Sequence, residues 1–159
     1  MKGDIMRKLR IVFFIVISLL LLIGCTDNEV LDSLPGYTAS EYYTSGGFQD
    51  YTDYAKYTYD AVTEEDLSAS GYFTVMTEAD VDNILSYIAN FESWVEAVGG
   101  EVKAGYDFDK TVISDGDYYY IKTKEGEPIG QGTYGKFDNY TVYFFDVELL
   151  TLFYFHSNI

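Results

Sequence analysis

TEADVDNILSYIANFESWVEAVGG, residues 77–100, is the stretch of sequence that decides the fold. Thr77 and Asp80 have the spacing of a helix capping box, and Gly99 with Gly100 forms a helix terminator. Between them a stripe of apolar residues recurs at helical spacing: Val81, Ile84, Leu85, Ile88, Phe91, Val95 and Val98. This pattern predicts one long amphipathic helix whose apolar side packs onto a second layer of structure.

The chain after Gly100 is rich in Tyr, Phe, Val, Thr and Ile, which are typical strand residues. It predicts strands at residues 118–122, 141–146 and 151–156, and a weaker strand within 102–108. The interval 146–150 is short enough to join the last two strands as a C-terminal hairpin. The sequence therefore predicts an α+β domain, with the long helix packed on an antiparallel sheet of three or four strands.

The residues between the N-terminal apolar run and the long helix give weaker signals. Residues 25–47 lack a sustained apolar period and contain Pro35-Gly36 and Gly46-Gly47, so we expect a flexible tether. Aromatic residues then recur every third position from Phe48 to Tyr57, which favours a helical or 3₁₀ turn. Thr63, followed by three acidic residues, predicts a short helix ending near residue 69. The predicted domain therefore spans residues 48–159.

The N-terminus has the order of an export signal. Four basic residues, Lys2, Arg7, Lys8 and Arg10, precede an apolar run at 11–23. A helix that crosses a membrane needs about 20 apolar residues, and this run is shorter. Residues 1–24 are therefore predicted to be a signal peptide.

Leu22-Ile23-Gly24-Cys25, at the end of this run, resembles the lipobox of bacterial lipoproteins. The resemblance implies cleavage between Gly24 and Cys25, and lipidation of the Cys25 thiol. It also implies a partner, the membrane, and a domain outside the cytoplasm, at the cell surface or in the periplasm. Two or more acyl chains hold a protein stably at a membrane. The exported domain resembles small, uncharacterised lipoproteins of anaerobic Gram-positive bacteria, a likeness that implies no site residue.

The charge of the exported part limits its partners. Residues 1–24 hold four of the ten basic and one of the twenty-six acidic residues, so the remainder carries a net charge of −19. Nucleic-acid binding depends on Lys and Arg neutralising phosphates, and the sequence argues against it. The same charge keeps a tethered domain soluble.

Few residues are available for catalysis or metal binding. The only cysteine is Cys25, the only histidine is His156 near the C-terminus, and zinc sites usually need several such ligands. The segment that starts at Asp107 fails as a calcium loop, because its sixth residue is Val112 and its twelfth is Tyr118. No cofactor is expected. Acidic residues are abundant, so a pair of carboxylates that hydrolyses a polysaccharide stays open.

Two functions are compatible with these observations: a binding module for a protein or glycan ligand, and a small carboxylate-dependent hydrolase. The small size of the domain favours the binding module, because roughly 110 residues leave little room for a catalytic cleft. Strand alternation gives it a candidate surface, because the side of 118–124 that carries Lys122 and Lys124 should face water. Tyr118 and Tyr120 lie on that side, and the same alternation puts Tyr143 and Tyr154 on the outward sides of the last two strands. These four tyrosines are the candidate binding residues. Exposed aromatic surface of this kind often marks a binding site.

Overall fold

The strands and helices are given by a computed structural model that describes residues 28–47 and 50–159. In chain order the elements are α1 (Glu29–Asp32), β1 (Ala39–Thr44), β2 (Tyr51–Thr58), α2 (Glu64–Ala69), β3 (Thr74–Val75), α3 (Glu78–Val98), α4 (Gly100–Gly105), a 3₁₀ turn (Lys110–Val112), β4 (Tyr118–Thr123), β5 (Pro128–Ile129), β6 (Gly132–Thr133), β7 (Asn139–Asp146) and β8 (Thr151–Asn158). Ser33–Ile159 forms one compact unit.

A six-stranded antiparallel sheet is the frame of this unit. Its strand order is β1-β2-β8-β7-β4-β3, and β5 pairs with β6 in a separate two-stranded ribbon. The predicted α+β class and the C-terminal hairpin, β7 with β8, are confirmed. The predicted number of strands is wrong, because three further strands, β1, β2 and β3, extend the sheet at its two sides.

Helix α3 covers one face of the sheet. Asp80 accepts hydrogen bonds from the Thr77 backbone and hydroxyl, as the capping spacing predicts, and Gly99 ends the helix with a φ of 67°. The buried side of α3 consists of Ile84, Tyr87, Ile88, Phe91 and Val95. These side chains pack against strand residues such as Phe155, whose ring centroid lies 5.4 Å from that of Phe91. The predicted stripe is confirmed over its centre, whereas Val98 at its end is exposed.

The predicted tether is wrong for residues 39–44, which form the edge strand β1. Each of these residues pairs with one of β2, from Ala39 opposite Thr58 to Thr44 opposite Asp53. Helix α4 fits closely against this strand. A Cβ built on Gly105 would lie 2.4 Å from the ring of Tyr43, so a larger residue there would have to displace that ring. The predicted domain, residues 48–159, therefore lacks one strand of the sheet, β1.

Two predictions of local structure between these elements are also wrong. Within the aromatic period at 48–57, Tyr51, Tyr54 and Tyr57 fall on β2. Tyr54 faces α3, while Tyr51 and Tyr57 lie on the opposite face. The weak strand at 102–108 is instead helix α4 followed by a loop, and Val102 and Phe108 are buried from these positions. The short helix after Thr63 is confirmed as α2, with the Thr63 hydroxyl accepting a hydrogen bond from the Asp66 amide.

The buried tyrosines predict a loss of stability in alkali. Burial, followed by the charge of Tyr37, raises the pKa of Tyr57 to about 12. Burial also raises the pKa of five other tyrosines, namely Tyr54, Tyr59, Tyr106, Tyr140 and Tyr154. The folded state therefore keeps phenol protons that the unfolded chain releases above about pH 10. This stabilisation is complete below that pH and is lost as the pH rises through the folded-state pKa values.

The expected result is a free energy of unfolding that falls between about pH 10 and pH 12, measured by urea denaturation at each pH. The part of the tyrosinate absorbance that comes from these buried rings should rise together with unfolding rather than before it. A free energy of unfolding that stays constant over this interval would contradict the burial of these rings.

Candidate functional site

The four candidate tyrosines lie on the sheet face opposite α3, as strand alternation predicts. Tyr120, Tyr143 and Tyr154 stand directly opposite one another on β4, β7 and β8. Tyr118 lies two positions along β4, opposite Phe145. The neighbouring residues Tyr119, Val142 and Phe144 point to the other face, into the core under α3. The structure therefore brings three of the four residues into one cross-strand row.

The exposure of these tyrosines differs from the prediction. Tyr120 and Tyr154 are half-buried, but Tyr118 is only 4% exposed and Tyr143 only 6%. Tyr143 stands on a central strand between two other rings, with centroid distances of 5.9 Å to Tyr120 and 5.4 Å to Tyr154. The expectation that all four are exposed is therefore wrong for Tyr118 and Tyr143.

A longer aromatic feature runs across this face than the sequence predicts. We call it the aromatic strip, and its rings follow one another in the order Tyr72, Tyr120, Tyr143, Tyr154, His156 and Tyr51. Successive ring centroids are 5.1 to 6.3 Å apart. Every ring of the strip except Tyr143 is half-buried, so its edge or face reaches the surface. Tyr42, 53% exposed on the edge strand, lies in the same row as Tyr154 with Ala55 between them.

A row of polar residues crosses the same face beside the strip. Its members are Thr44, Asp53, His156, Thr141 and Lys122, each opposite the next on adjacent strands. His156 Nδ1 lies 2.9 Å from Thr141 Oγ1. Burial lowers the pKa of His156, against the opposing charge of Asp53. The imidazole is therefore neutral near pH 7.

Asp53, His156 and Thr141 are residue types that form catalytic triads, but their geometry is different. A triad needs the carboxylate hydrogen-bonded to the imidazole. Asp53 is only 5% exposed, and its Oδ1 has no hydrogen-bond partner among the described residues. Thr141 is also buried, at 8% exposure. The row therefore offers hydrogen-bonding groups rather than an activated nucleophile.

A second candidate site is a cleft of about 290 Å³ at the end of the face that α3 covers. It lies between the loop after α4 and the strands β1, β2 and β8. Charged and apolar side chains line it, including Glu41, Lys56, Asp107, Asp109 and Phe153. The sequence does not reveal this cleft, because its charged residues come from three separated segments.

Lys56 joins the two nearest carboxylates of the cleft. Its Nζ lies 2.8 Å from Asp107 Oδ2 and 3.4 Å from Glu41 Oε1, and Tyr54 donates a hydrogen bond of 2.9 Å to Asp107 Oδ1. Although partial burial acts to raise it, hydrogen bonds from Lys56 and Tyr54 hold the pKa of Asp107 below its usual value. A hydrogen bond from Tyr43, followed by the charge of Lys56, lowers the pKa of Glu41.

These pKa directions argue against glycoside hydrolysis in the cleft. A hydrolase of this kind needs one carboxyl group with a raised pKa, which donates a proton to the leaving group. Glu41 and Asp107 are both shifted the opposite way and are both held by Lys56. The arrangement is that of an ion-pair network that fastens the loop after α4 to the sheet.

The remaining predicted site residues, Gly24 and Cys25, lie outside the described residues. Within residues 28–47 and 50–159, no group of three or more His, Cys, Asp or Glu side chains is placed to hold a metal ion. No helix in this described part is long and apolar enough to span a membrane. Comparisons with protein-family models, curated proteins and solved structures find no match.

Proposed function

We propose that this chain is a lipid-anchored bacterial surface protein whose folded domain binds a ligand without chemically changing it. The observation that carries this proposal is the aromatic strip on the sheet face opposite α3. Rigid tyrosine rings supply large contact area at a low cost in conformational entropy, and tyrosine is enriched where proteins bind their partners. The lipobox resemblance supplies the anchor, Cys25, and an address outside the cytoplasm.

The proposed membrane anchor is compatible with binding of a ligand outside the cell. Residues 26–38 separate the proposed lipidation site, Cys25, from the first strand of the sheet and link the domain to its anchor. The net charge of −19 keeps the domain away from anionic lipid and from nucleic acid. The strip is then presented to molecules outside the cell. The cleft at Lys56 gives no support to a hydrolase, because its carboxyl groups lack the raised pKa that the reaction needs.

Affinity capture with matched variants tests the proposal. Full-length protein in detergent is immobilised as wild type, as a Tyr120→Ala, Tyr154→Ala double variant, and as Tyr134→Ala, a control in the turn region outside the strip. Each is exposed to wall polysaccharides, host glycans and secreted proteins. We expect wild type and Tyr134→Ala to retain the same ligand and the double variant to lose it while still unfolding cooperatively. Equal retention of the ligand by all three proteins would contradict the proposal.

A further inference from the structure

The row that contains three members of the aromatic strip crosses most of the sheet. It runs from Tyr120 on β4 through Tyr143, Tyr154 and Ala55 to Tyr42 on β1. Neighbouring strands lie about 4.8 Å apart, so the four intervals give a row roughly 19 Å long. A surface of this length suits an extended ligand with several repeating units better than a single small molecule.

The charge of this face differs from that of the whole domain. Along the row from Tyr120 to Tyr42 and the polar row beside it, the charged residues are Asp53 and Lys122, one of each sign, and His156 is neutral. The exported chain as a whole carries −19. Electrostatic complementarity therefore favours an uncharged ligand here over an anionic or a strongly cationic one.

The two rows together have the chemistry that recognises a sugar chain. The flat rings of Tyr42, Tyr120 and Tyr154 can stack on the apolar C–H faces of sugar rings. The polar row offers groups for hydroxyls, including the exposed ammonium group of Lys122.

We infer that the aromatic strip and the polar row bind an extended, neutral oligosaccharide, whose sugar rings lie across the strands from β4 to β1. This inference rests on the proposed function and names the ligand class of the same site. Sugar rings at successive positions would contact Tyr120, Tyr154 and Tyr42 in turn. The affinity should therefore grow with chain length until the ligand spans the row.

The test uses full-length protein in detergent and defined neutral sugars: glucan, mannan, galactan and xylan oligomers as disaccharides, tetrasaccharides and hexasaccharides. Titration calorimetry should find at least one series in which affinity rises about tenfold or more from the disaccharide to the hexasaccharide. The Tyr120→Ala, Tyr154→Ala double variant should lose that binding. Tyr42→Ala changes a residue that is 53% exposed, so it should fold normally and weaken the hexasaccharide more than the disaccharide. Tyr134→Ala should bind as wild type does.

The outcomes separate this inference from the proposed function. Strip-dependent capture of a protein or an acidic polysaccharide, with no binding of any neutral series, would overturn the inference and leave the binding module standing. Neutral sugar binding that is unchanged in the double variant and in Tyr42→Ala would overturn it as well. If the binding of no tested ligand depends on the strip, both proposals are wrong.

Discussion

Cys25→Ala is expected to abolish fatty-acid labelling of this protein in growing cells. The lipobox resemblance implies two roles for Cys25: its thiol would accept the lipid, and the cleavage site would lie directly before it. Without the thiol the chain should persist as an unlipidated precursor that is uncut or cut elsewhere. The measurement is incorporation of a radioactive fatty acid, followed by the mass of the labelled chain.

A matched variant for this experiment is Thr26→Ala, which changes the adjacent residue and keeps the thiol. It should be labelled and cut as wild type is. Equal labelling of the wild type and Cys25→Ala would show that the anchor is not at this cysteine, and the proposed attachment to the membrane would then fail.

Phe155→Ala is expected to destabilise the domain by about 3 to 5 kcal/mol, as large-to-small changes of a buried aromatic ring do. Phe155 is fully buried, and its ring lies 5.0 Å from Phe108, 5.4 Å from Phe91 and 5.6 Å from Tyr54. It therefore joins the sheet to α3 and to the loop after α4. A loss of this size is a large fraction of the 5 to 15 kcal/mol typical of a whole domain.

Urea denaturation measures this loss, with Val98→Ala as the control. Val98 belongs to the apolar stripe of α3 by sequence but is 43% exposed, so its replacement should change the free energy of unfolding by less than about 1 kcal/mol. If the two variants are equally destabilised, the packing of α3 on the sheet is different from the one described.

The sequence predicts best the elements whose signals are local. Helix α3 is found because its cap, its apolar stripe and its terminating glycines lie within one continuous stretch. Strands β4, β7 and β8 are found from their composition. The prediction of a shared face for Tyr120, Tyr143 and Tyr154 succeeds because alternation along each strand is independent of the rest of the fold.

The missed elements lack a local signal of this kind. β2 carries aromatic residues on both faces, so Tyr51, Tyr54 and Tyr57 give a period of three rather than the alternation of a half-buried strand. β1 is an edge strand with mostly exposed side chains, and its sequence resembles a polar linker. Val102 and Phe108 are buried in a helix and in the loop after it. Composition alone does not distinguish such buried apolar residues from those of a strand.

The candidate sites depend on contacts between distant parts of the chain. Insertion of β2 between β1 and β8 places Tyr51 beside His156 and Lys56 beside Asp107, 51 residues apart. No sequence spacing encodes these neighbours. The exposure of each tyrosine likewise depends on which strands and rings flank it, and so Tyr118 and Tyr143 are buried although they alternate with core residues.

The central claim, that the domain presents its aromatic strip outside the cytoplasmic membrane, is tested most directly by chemical labelling of protoplasts. A tyrosine-reactive reagent that cannot cross the membrane is applied before and after lysis, and modified residues are identified by mass spectrometry. The account predicts modification of Tyr42, Tyr120 and Tyr154 on intact protoplasts, while the fully buried Tyr54 and Tyr140 stay unmodified. Modification of these three tyrosines only after lysis would place the domain inside the cell and contradict the account.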